Sequence, residues 1–304
     1  MSDRFKSGFV SLIGRPNAGK STLLNALVGQ KVAIVADKPQ TTRTAIQGVV
    51  TLPDAQIVFV DTPGIHRADS QLNKRLMDTV RNALEQRDLL LYVADSARKF
   101  GSDDRRAIDV ARRTDTPVIL VLNKVDLLKD KALLLPLIEE YRSVYEFADY
   151  VPVSAVKNTG LDELRRVILE RLPEGPAYFP EDYVTDQPER FLAAELIREK
   201  VLLATRQEVP HSVAVMVDKW EETPDVTRIY ATIRVERDGQ KAIVIGTGGS
   251  MLKQIGTQAR QEMEKLFGVR IYLDLHVRVE PDWREKRAFL NALDWRTMAG
   301  GDDF

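Results

Sequence analysis

The stretch of sequence that decides the fold is residues 9–28, which read FVSLI-GRPNAGKS-TLLNALV. Residues 9–13 form a short apolar run typical of a buried strand, and residues 22–28 have the apolar spacing of a helix. The eight residues between them, 14–21, fit the phosphate-loop pattern G-x-x-x-x-G-K-[ST]. This strand–loop–helix order predicts an α/β domain that binds a phosphate group.

Each part of this loop has an expected role at the phosphates. The glycines allow successive backbone N–H groups to point at a β-phosphate, at the positive end of the helix. We expect Lys20 to reach the β- and γ-phosphates and the Ser21 hydroxyl to bind Mg²⁺. The alternative, a glycine-rich turn with an accidental Lys-Ser pair, is disfavoured by the strand and helix on either side. The nucleotide-binding residues predicted here are Gly14, Arg15, Pro16, Asn17, Ala18, Gly19, Lys20, Ser21 and Thr22.

A second motif, Asp61-Thr62-Pro63-Gly64, follows the apolar residues 57–60. It therefore comes at the carboxyl end of a predicted strand, where open α/β sheets place their ligands. We expect Asp61 to hold Mg²⁺ through water and the Gly64 amide to donate to the γ-phosphate. Glycine lets the backbone flip when that phosphate leaves, so the next segment is a predicted switch. The alternative is a simple Thr-Pro-Gly turn.

Two further motifs indicate which base is bound. One is N-K-V-D at residues 123–126, after the apolar run 118–122, and the other is S-A-V-K at 154–157, after residues 150–153. The Asp126 carboxylate can accept hydrogen bonds from N1–H and the 2-amino group of guanine, whereas adenine offers neither donor. The stem of Lys124 can lie along the base plane. The predicted guanine-contacting residues are Asn123, Lys124, Asp126, Ser154 and Ala155.

A threonine between the first two motifs is a candidate switch ligand. Residues 38–43 read K-P-Q-T-T-R, and a threonine here can close over Mg²⁺ and the γ-phosphate only while GTP is bound. We favour Thr42, directly before Arg43, over Thr41. A polar loop that leads into the strand near residues 45–50 is the alternative. The predicted Mg²⁺ ligands are thus Ser21, Thr42 and Asp61.

The sequence lacks one residue that speeds hydrolysis in Ras-type proteins. They carry a glutamine after D-T-P-G that orients the attacking water, whereas this chain has Ile65, and His66 would face the wrong way on an extended backbone. We therefore predict a low intrinsic GTPase rate that depends on charge stabilisation, with Lys20, Thr42 and Gly64 as the catalytic residues. GTPases with an asparagine at the position of Asn17 often use it to hold K⁺, which is a candidate second cation here.

Length and composition fit a two-domain protein. The chain has 304 residues, 44% of them hydrophobic, a formal charge of −1 and no cysteine. Disulfides and thiolate metal sites are thereby excluded, and a cytoplasmic location is expected. No apolar stretch approaches the roughly 20 residues of a membrane span, and residues 1–6 lack an apolar signal core.

The predicted organisation is an α/β domain over residues 1–173, a linker over 174–183, and an α+β domain over 184–304 with a short tail at 299–304 that we expect to be disordered. Strands are predicted near residues 9–13, 44–51, 56–60, 88–94, 117–122 and 149–153, with helices between most of them. That alternation predicts a doubly wound, mostly parallel sheet. The leucine run at 133–137 is expected to be a buried helical face.

The second half carries a possible RNA-binding loop. A helix is predicted at 190–206, with strands at 212–218 and 228–237 and a turn at Asp238-Gly239. Residues 245–256 then read I-G-T-G-G-S-M-L-K-Q-I-G, close to the KH-domain signature, whose G-x-x-G loop clamps single-stranded nucleotides. By propensity 242–245 favours a strand, whereas a KH domain needs a helix, so both remain open. The predicted RNA contacts are Gly246, Thr247, Gly248, Gly249, Lys241 and Lys253.

These motifs together resemble the Era family of bacterial GTPases. The resemblance rests on G-R-P-N-A-G-K-S, K-P-Q-T-T-R, D-T-P-G, N-K-V-D and S-A-V-K, then on P-E-D-Y-V-T-D-Q-P-E-R at 180–190 and the KH-like segment, and it covers nearly the whole chain. It implies a P-loop GTPase domain followed by a type II KH domain that binds the 3′ end of 16S rRNA. It also implies a monomer that assists assembly of the small (30S) ribosomal subunit, with loose attachment to the inner membrane face.

One departure and two alternatives accompany this resemblance. The variable pair of the G-x-x-G loop often contains lysine or asparagine in the family, but here it is Thr247-Gly248, so RNA affinity is lower or Lys241 and Lys253 contribute more of it. The first alternative is a signalling GTPase whose C-terminal domain binds a protein partner. The second, a tRNA-modification GTPase, fits poorly because we identify no cofactor-binding domain.

Overall fold

The computed structural model describes residues 5–38, 40–65, 70–85, 87–206 and 209–294. These residues form two compact units. The first comprises the described residues of Met1–Ala33, Thr42–Ala68 and Asn73–Asp186, and the second those of Ile34–Thr41, Asp69–Leu72 and Gln187–Phe304. The predicted tail at 299–304 lies outside the described residues.

The first unit is a six-stranded sheet with helices. Its strands are β1 (Lys6–Ile13), β2 (Ile46–Leu52), β3 (Ala55–Asp61), β4 (Leu89–Asp95), β5 (Val118–Asn123) and β6 (Asp149–Pro152). Its helices are α1 (Lys20–Val28), α2 (Gln71–Asn82), α3 (Ser102–Ala111), α4 (Leu134–Arg142) and α5 (Leu161–Arg171), with 3₁₀ turns at Val125–Leu127 and Lys131–Leu133. The strand order is β2-β3-β1-β4-β5-β6, and only β2, paired with β3, runs antiparallel.

Burial on both faces explains the composition of this sheet. Every residue of β3, β4 and β5 is buried, and two separate apolar clusters contain alternate residues of the central strands. Parallel strands covered by helices on both faces read as continuous apolar runs, which is the pattern seen in the sequence. The prediction of a doubly wound, mostly parallel sheet is confirmed, and each predicted strand is present, with its ends shifted by at most three residues.

The leucine run at 133–137 does not form a wholly buried face. Leu133 is 55% and Leu135 is 68% exposed, so that prediction was wrong. Helix α4 begins only at Leu134, and the residues packed on the core are Leu134, Leu137, Ile138 and Tyr141. These four follow the i, i+3, i+4, i+7 spacing of one helical face, which leaves Leu135 on the other side.

The predicted linker packs on the first unit. Buried Gln56, on β3, accepts from the backbone N–H groups of Tyr178 (2.7 Å) and Phe179 (2.9 Å) and donates to the Phe179 carbonyl (2.9 Å). Further along, the N–H of Val49 donates to the Val184 carbonyl at 2.8 Å. One side chain, that of Gln56, therefore forms hydrogen bonds with three backbone groups of a segment that has no regular secondary structure. Consistent with these contacts, residues up to Asp186 belong to the first unit.

The second unit is a three-stranded sheet with helices packed on it. Its strands are β7 (Ala214–Glu222), β8 (Thr227–Val235) and β9 (Ile271–Val279), in that order, with β7 antiparallel and β9 parallel to β8. Its helices are α6 (Glu189–Ala204), α7 (Val209–Ser212), α8 (Asp238–Ile245), α9 (Ser250–Phe267) and α10 (Arg287–Ala292), with 3₁₀ turns at Thr247–Gly249 and Trp283–Glu285. This α–β–β–α–α–β order is that of the predicted type II KH domain.

The ambiguous residues 242–245 are helical. Helix α8 begins at Asp238, where a turn was expected, and buries Gln240 and Val244 while Ile243 stays 52% exposed. The buried pair is four residues apart, the spacing of one helical face. Gln240 also accepts from the backbone N–H of Glu236 at 2.9 Å, which secures the start of the helix. Tertiary burial here overrides the β-propensity of Ile-Val-Ile.

A short segment from the first half of the chain belongs to the second unit. Ile34 is buried in the apolar cluster that contains α6, and the N–H of Val35 donates to the Glu199 carboxylate at 2.7 Å. The predicted division assigned all of residues 1–173 to the first domain, so the two divisions differ at Ile34–Thr41, at the described residues of Asp69–Leu72 and at the linker. Among the described residues, no helix is both long and apolar enough to cross a membrane.

The contacts of Gln56 generate a stability prediction. In Gln56→Met the side chain keeps its length but cannot form the three hydrogen bonds to the backbone of Tyr178 and Phe179, and each such bond contributes about 0.5–1.5 kcal/mol. We expect the free energy of unfolding in urea to fall by roughly 2 kcal/mol, with faster proteolysis within residues 174–186. Thr51→Val removes only the hydrogen bond that Gln56 donates to Thr51, and is the matched control. Equal proteolysis of the two variants would contradict this account.

Candidate functional site

The phosphate loop has a backbone that requires glycine at two points. Gly14 has φ +146°, and a Cβ there would lie 2.4 Å from the Val93 carbonyl oxygen. Gly19 has φ +92°, and its Cβ would lie 2.4 Å from Nδ2 of Asn123. Asn17, between them, also has positive φ at +61°. The loop is therefore curled as an anion-binding loop requires, and neighbouring strands pack directly against it.

Lys20 lies inside this curl. Its ammonium donates to the carbonyls of Gly14 (3.3 Å) and Arg15 (3.1 Å), so it spans the mouth of the loop. Burial lowers the pKa of Lys20 to about 8, and the charge of Asp61 partly offsets that effect. The Lys20 ammonium is buried, and the nearby carboxylate only partly balances its charge. Such a group binds an anion favourably.

Three oxygen-bearing side chains converge beside Lys20. The Ser21 hydroxyl donates to Oδ2 of Asp61 at 2.6 Å, Thr42 donates to the same oxygen at 3.2 Å, and the two hydroxyls are 2.8 Å apart. Burial raises the pKa of Asp61, and its Oδ1 has no hydrogen-bond partner within the described part of the chain. An orphaned carboxylate oxygen beside two hydroxyls fits a hard divalent cation such as Mg²⁺. Thr41 instead donates to the carbonyls of Ala36 and Lys38.

The segment after Asp61 packs tightly on the loop. A Cβ on Gly64 would lie 2.8 Å from Cα of Pro16, so only glycine allows this approach. The Thr62 hydroxyl donates to the Leu12 carbonyl at 2.7 Å, which anchors the motif to β1. Ile65 is 1% exposed, so its side chain is in the core rather than at the phosphates, and His66 lies outside the described residues. Pro63 continues the same turn.

Asn123 and Lys124 join the base motif to the phosphate loop. Asn123 donates to the Ala18 carbonyl at 3.0 Å and accepts from the Ala155 N–H at 3.1 Å. Lys124, with φ +66°, donates to the Asn17 carbonyl at 2.6 Å and to the Asp95 carboxylate at 2.9 Å. Asp95 was missed in the sequence, although its place at the end of β4 was a usable signal.

The candidate guanine contact is held by a serine. The Ser154 hydroxyl donates to Oδ1 of Asp126 at 2.6 Å and accepts from the Lys157 N–H at 3.1 Å. Asp126 is exposed, and its second oxygen is open to a ligand. The four sequence motifs thus converge at the carboxyl ends of β1, β3, β5 and β6. This arrangement can bind a guanine base, a triphosphate and a divalent cation together.

In the second unit, the glycines of the G-x-x-G loop differ in their surroundings. Gly246 has φ +72°, and a Cβ there would lie 2.7 Å from Cβ of Met251. Gly248 (φ +59°) and Gly249 (φ +81°) also have left-handed backbones, but nothing lies within 4 Å of a Cβ at either. Gly246 is therefore needed for packing, whereas the backbone at Gly248 and Gly249 is open to solvent or ligand.

A groove of about 370 Å³ begins at this loop. It is lined by Gly249, Leu252, Lys253, Gly256, Thr257, Arg260, Leu273 and Leu275. A Cβ on Gly256 would lie 3.4 Å from Cδ1 of Leu275, so the glycine brings α9 and β9 close together at the groove floor. An apolar floor with a glycine loop and a lysine at its rim can hold bases and phosphates at once.

Two basic residues of this region differ from expectation. Lys241 is half-buried on α8 and does not line the groove. Arg260 lines it but forms an ion pair at 2.8 Å with Glu264, one turn further along α9. Lys253 is the exposed cation of the groove lining. The groove leucines of β9 were missed, although the alternation of apolar residues over 271–279 was a signal for them.

Comparison with known proteins identifies both domains. A family model described as "50S ribosome-binding GTPase" matches residues 9–124, and one described as "KH domain" matches residues 208–284. The chain is 50% identical over 298 residues to the GTPase Era of Geobacter metallireducens, covering 97% of this chain and 100% of that protein. The chain belongs to the Era GTPase family. As a member of that family it is a GTPase with a KH domain.

Further relatives agree over nearly the full length. The GTPase Era of Nostoc sp. is 50% identical over 293 residues, covering 96% of this chain and 90% of that protein. The crystal structure of a point variant of Aquifex aeolicus Era bound to GDP·AlF₄⁻ is 40% identical, with a TM-score of 0.93, covering 96% of this chain and 99% of that one. An Era structure in complex with MgGDPNP and nucleotides 1506–1542 of 16S ribosomal RNA matches with the same identity, TM-score and coverage.

The low pKa of Lys20 predicts proton uptake on nucleotide binding. Phosphate stabilises the protonated amine, so its pKa rises from about 8 when GDP binds. Affinity for GDP is then constant below pH 8 and falls as the pH rises above it, and binding at about pH 8 takes up roughly half a proton. Calorimetry of GDP binding in two buffers of different ionisation enthalpy measures this uptake. Equal binding enthalpies in the two buffers at that pH would refute the assignment.

Proposed function

We propose that this protein is a GTP-controlled RNA-binding protein that binds the 3′ end of 16S rRNA and assists assembly of the small (30S) ribosomal subunit. The observation that carries the proposal is the open G-x-x-G loop, with Gly248 and Gly249 accessible, beside a groove that is lined by three leucines and by the exposed Lys253. A relative that matches 96% of this chain is bound to nucleotides 1506–1542 of 16S ribosomal RNA.

The chemistry of the groove favours a single strand of RNA over a protein partner. Unstacked bases need an apolar surface, here Leu252, Leu273 and Leu275, while the backbone phosphates need close-approaching N–H groups and a cation. Gly248 and Gly249 have left-handed φ and nothing near their Cβ positions, so a phosphate can approach their backbone closely, whereas a protein helix would gain nothing from that access. The runner-up remains a signalling GTPase whose second domain binds a protein.

The G-x-x-G loop generates a test of RNA binding. Gly248→Asp combined with Gly249→Asp places two carboxylates where phosphates are expected, and the backbone there accepts Asp because left-handed φ is tolerated by Asp and Asn. We expect affinity for an RNA of nucleotides 1506–1542 to fall at least tenfold, since like charges within a few ångströms repel. Fluorescence anisotropy with a non-hydrolysable GTP analogue and with GDP measures the affinity, and we expect tighter binding with the analogue.

Gly268→Asp is the matched control for that experiment. Gly268 also has a left-handed backbone (φ +71°) with nothing near its Cβ position, but it ends α9 far along the chain from the loop. It repeats the backbone conformation and the added charge of one of the two substitutions, at a site outside the G-x-x-G loop. Equal loss of RNA affinity in both variants, or no loss in either, would favour the alternative in which the second unit binds a protein partner. The assignment of the first unit as a GTPase would not change.

In the GTP site, the proposed roles follow from the contacts. Lys20 binds the β- and γ-phosphates, the amide of Gly64 donates to the γ-phosphate, and Thr42 closes on the cation while GTP is bound. When Mg²⁺ binds, Ser21, Thr42 and Asp61 hold it, and the ion supplies positive charge to the phosphate oxygens. The hydroxyl cluster and the orphaned Oδ1 of Asp61 support this, and Thr41, engaged elsewhere, is the weaker candidate.

We propose a low intrinsic rate of hydrolysis. Ile65 is buried and carries no group that can orient water, so the rate depends on charge around the phosphates. We further propose that the side chain of Asn17 binds a second cation such as K⁺. Asn17 lies within the phosphate loop, where its backbone is left-handed and its carbonyl accepts from Lys124.

K⁺ dependence is therefore a further prediction for this protein. We expect kcat for GTP to rise severalfold when K⁺ replaces Na⁺ at equal ionic strength, because K⁺ would neutralise charge that develops between the phosphates. In Asn17→Gly, which lacks the side-chain ligand but readily adopts the left-handed backbone of this position, the rates in the two salts should be equal. Phosphate-release assays at saturating GTP give these values. Equal wild-type rates in the two salts would remove K⁺ from the mechanism.

Location and oligomeric state remain proposals that rest on the family resemblance. We propose a cytoplasmic monomer with weak peripheral attachment to the inner membrane face. Flotation of the protein with vesicles of anionic lipid, compared with neutral vesicles, tests the attachment, and sedimentation velocity tests the monomer. Absence of flotation with both lipids would remove the membrane from the proposal.

A further inference from the structure

A buried polar cluster lies beside the phosphate loop and has no role in the sites described so far. Its centre is Asp104, in the first turn of α3, whose side chain is fully buried. The carboxylate accepts from Nη1 of Arg15 at 3.1 Å and from the backbone N–H of Gly101 at 3.0 Å. It also accepts from the hydroxyls of Tyr141 at 2.8 Å and Tyr92 at 3.2 Å. Four donors therefore converge on one carboxylate.

Only one of these donors carries a charge. Burial and the nearby Asp104 charge raise the pKa of both tyrosines, which therefore stay neutral. In the described part of the chain, Arg15 is the one cation paired with Asp104, and its side chain is 11% exposed. Removing one partner of a buried ion pair leaves an uncompensated charge, which is strongly unfavourable. The pair thus fixes Arg15 firmly to α3.

Arg15 is itself part of the phosphate loop. Its guanidinium is engaged by Asp104 and, at 3.4 Å, by the Asp95 carbonyl, while its own backbone carbonyl accepts from Lys20. The side chain is thus engaged by protein groups, although the sequence placed Arg15 among the nucleotide contacts. A single residue therefore connects α3 on one side with the phosphate-binding lysine on the other.

The loop needs such an anchor because its backbone is strained. Gly14 and Asn17, on either side of Arg15 and Pro16, both have positive φ, and a loop held in sparsely populated conformations persists only when its surroundings determine it. Asn123 and Lys124 hold the second half through the carbonyls of Ala18 and Asn17. The Arg15 side chain is the corresponding attachment of the first half.

We propose that Asp104 is a positioning residue for nucleotide binding, which acts through Arg15 by fixing the first half of the phosphate loop before the nucleotide arrives. A loop already in its binding conformation loses less conformational freedom on binding, so the ligand binds more tightly. The inference rests on the assignment of the phosphate loop to the nucleotide.

The test compares variants that differ in whether Arg15 keeps its anchor. In Asp104→Asn we expect the dissociation constants for GDP and GTP to rise about tenfold, with faster release of a fluorescent GDP analogue. Tyr141→Phe removes one hydroxyl donor from the same carboxylate but keeps the ion pair, so we expect a lower melting temperature with a change in affinity of at most about twofold. Affinities are measured at a temperature where circular dichroism shows each variant folded.

A double-mutant cycle shows whether Asp104 acts through Arg15. If it does, Arg15→Gln with Asp104→Asn weakens GDP binding no more than Arg15→Gln alone. Additive losses, or an unchanged dissociation constant in folded Asp104→Asn, would overturn the proposal. If Asp104→Asn does not fold, the variants Arg15→Lys and Arg15→Gln are compared instead. Lysine keeps the positive charge that pairs with Asp104, so we expect Arg15→Lys to bind GDP severalfold more tightly than Arg15→Gln. Equal GDP affinities of these two variants would overturn the proposal.

Measurements on the wild-type chain and on Lys20→Ala test the assignment of the nucleotide site separately from the role of Asp104. Lost GDP binding in Lys20→Ala, with tight binding by the wild type, supports the phosphate loop as the nucleotide site. If the wild type did not bind GDP, or if Lys20→Ala bound it equally well, the site itself would be wrong. Normal behaviour of these two proteins with unchanged affinity in Asp104→Asn overturns only the role of Asp104.

Discussion

The side-chain amide of Asn123 is the contact on which the nucleotide site depends. It is 1% exposed, donates to the Ala18 carbonyl and accepts from the Ala155 N–H, so it joins the phosphate loop to the base-binding loop. The neighbouring Gly19 approaches the same amide so closely that no Cβ could be placed there. Because the amide can both donate and accept hydrogen bonds, it can connect two loops at once, which an ionised carboxylate could not.

Around this contact, the site keeps polar groups away from water and available to a ligand. Lys20 has a lowered pKa, the pKa of Asp61 is raised, and one oxygen of Asp61 has no partner among the described residues. Buried charges of this kind cost stability in the empty protein, and a nucleotide with its cation relieves that cost. The anchors behind the loop, from Asn123, Lys124 and the Arg15–Asp104 pair, hold these groups in place at the same time.

The second unit also has a glycine-rich loop at the start of a helix. Its G-x-x-G loop also opens a helix, α9, with glycines in left-handed conformations, so backbone N–H groups are again presented at a helix N-terminus. Here, however, a groove between α9 and β9 that contains three leucines takes the place of the buried charges. The first unit is therefore suited to a compact, highly charged ligand, and the second to an extended strand with bases.

The sequence by itself determined the motifs, the order of strands and helices in the first unit, and the family, because a phosphate loop or a G-x-x-G turn is built from contiguous residues whose backbone needs are local. It did not determine which distant side chains meet. The pairing of Arg15 with Asp104, the leucines of β9 under the groove, the helical form of residues 242–245 and the exposure of Leu135 were decided by tertiary packing. Each depends on burial against elements far along the chain, which local propensity and periodicity do not encode.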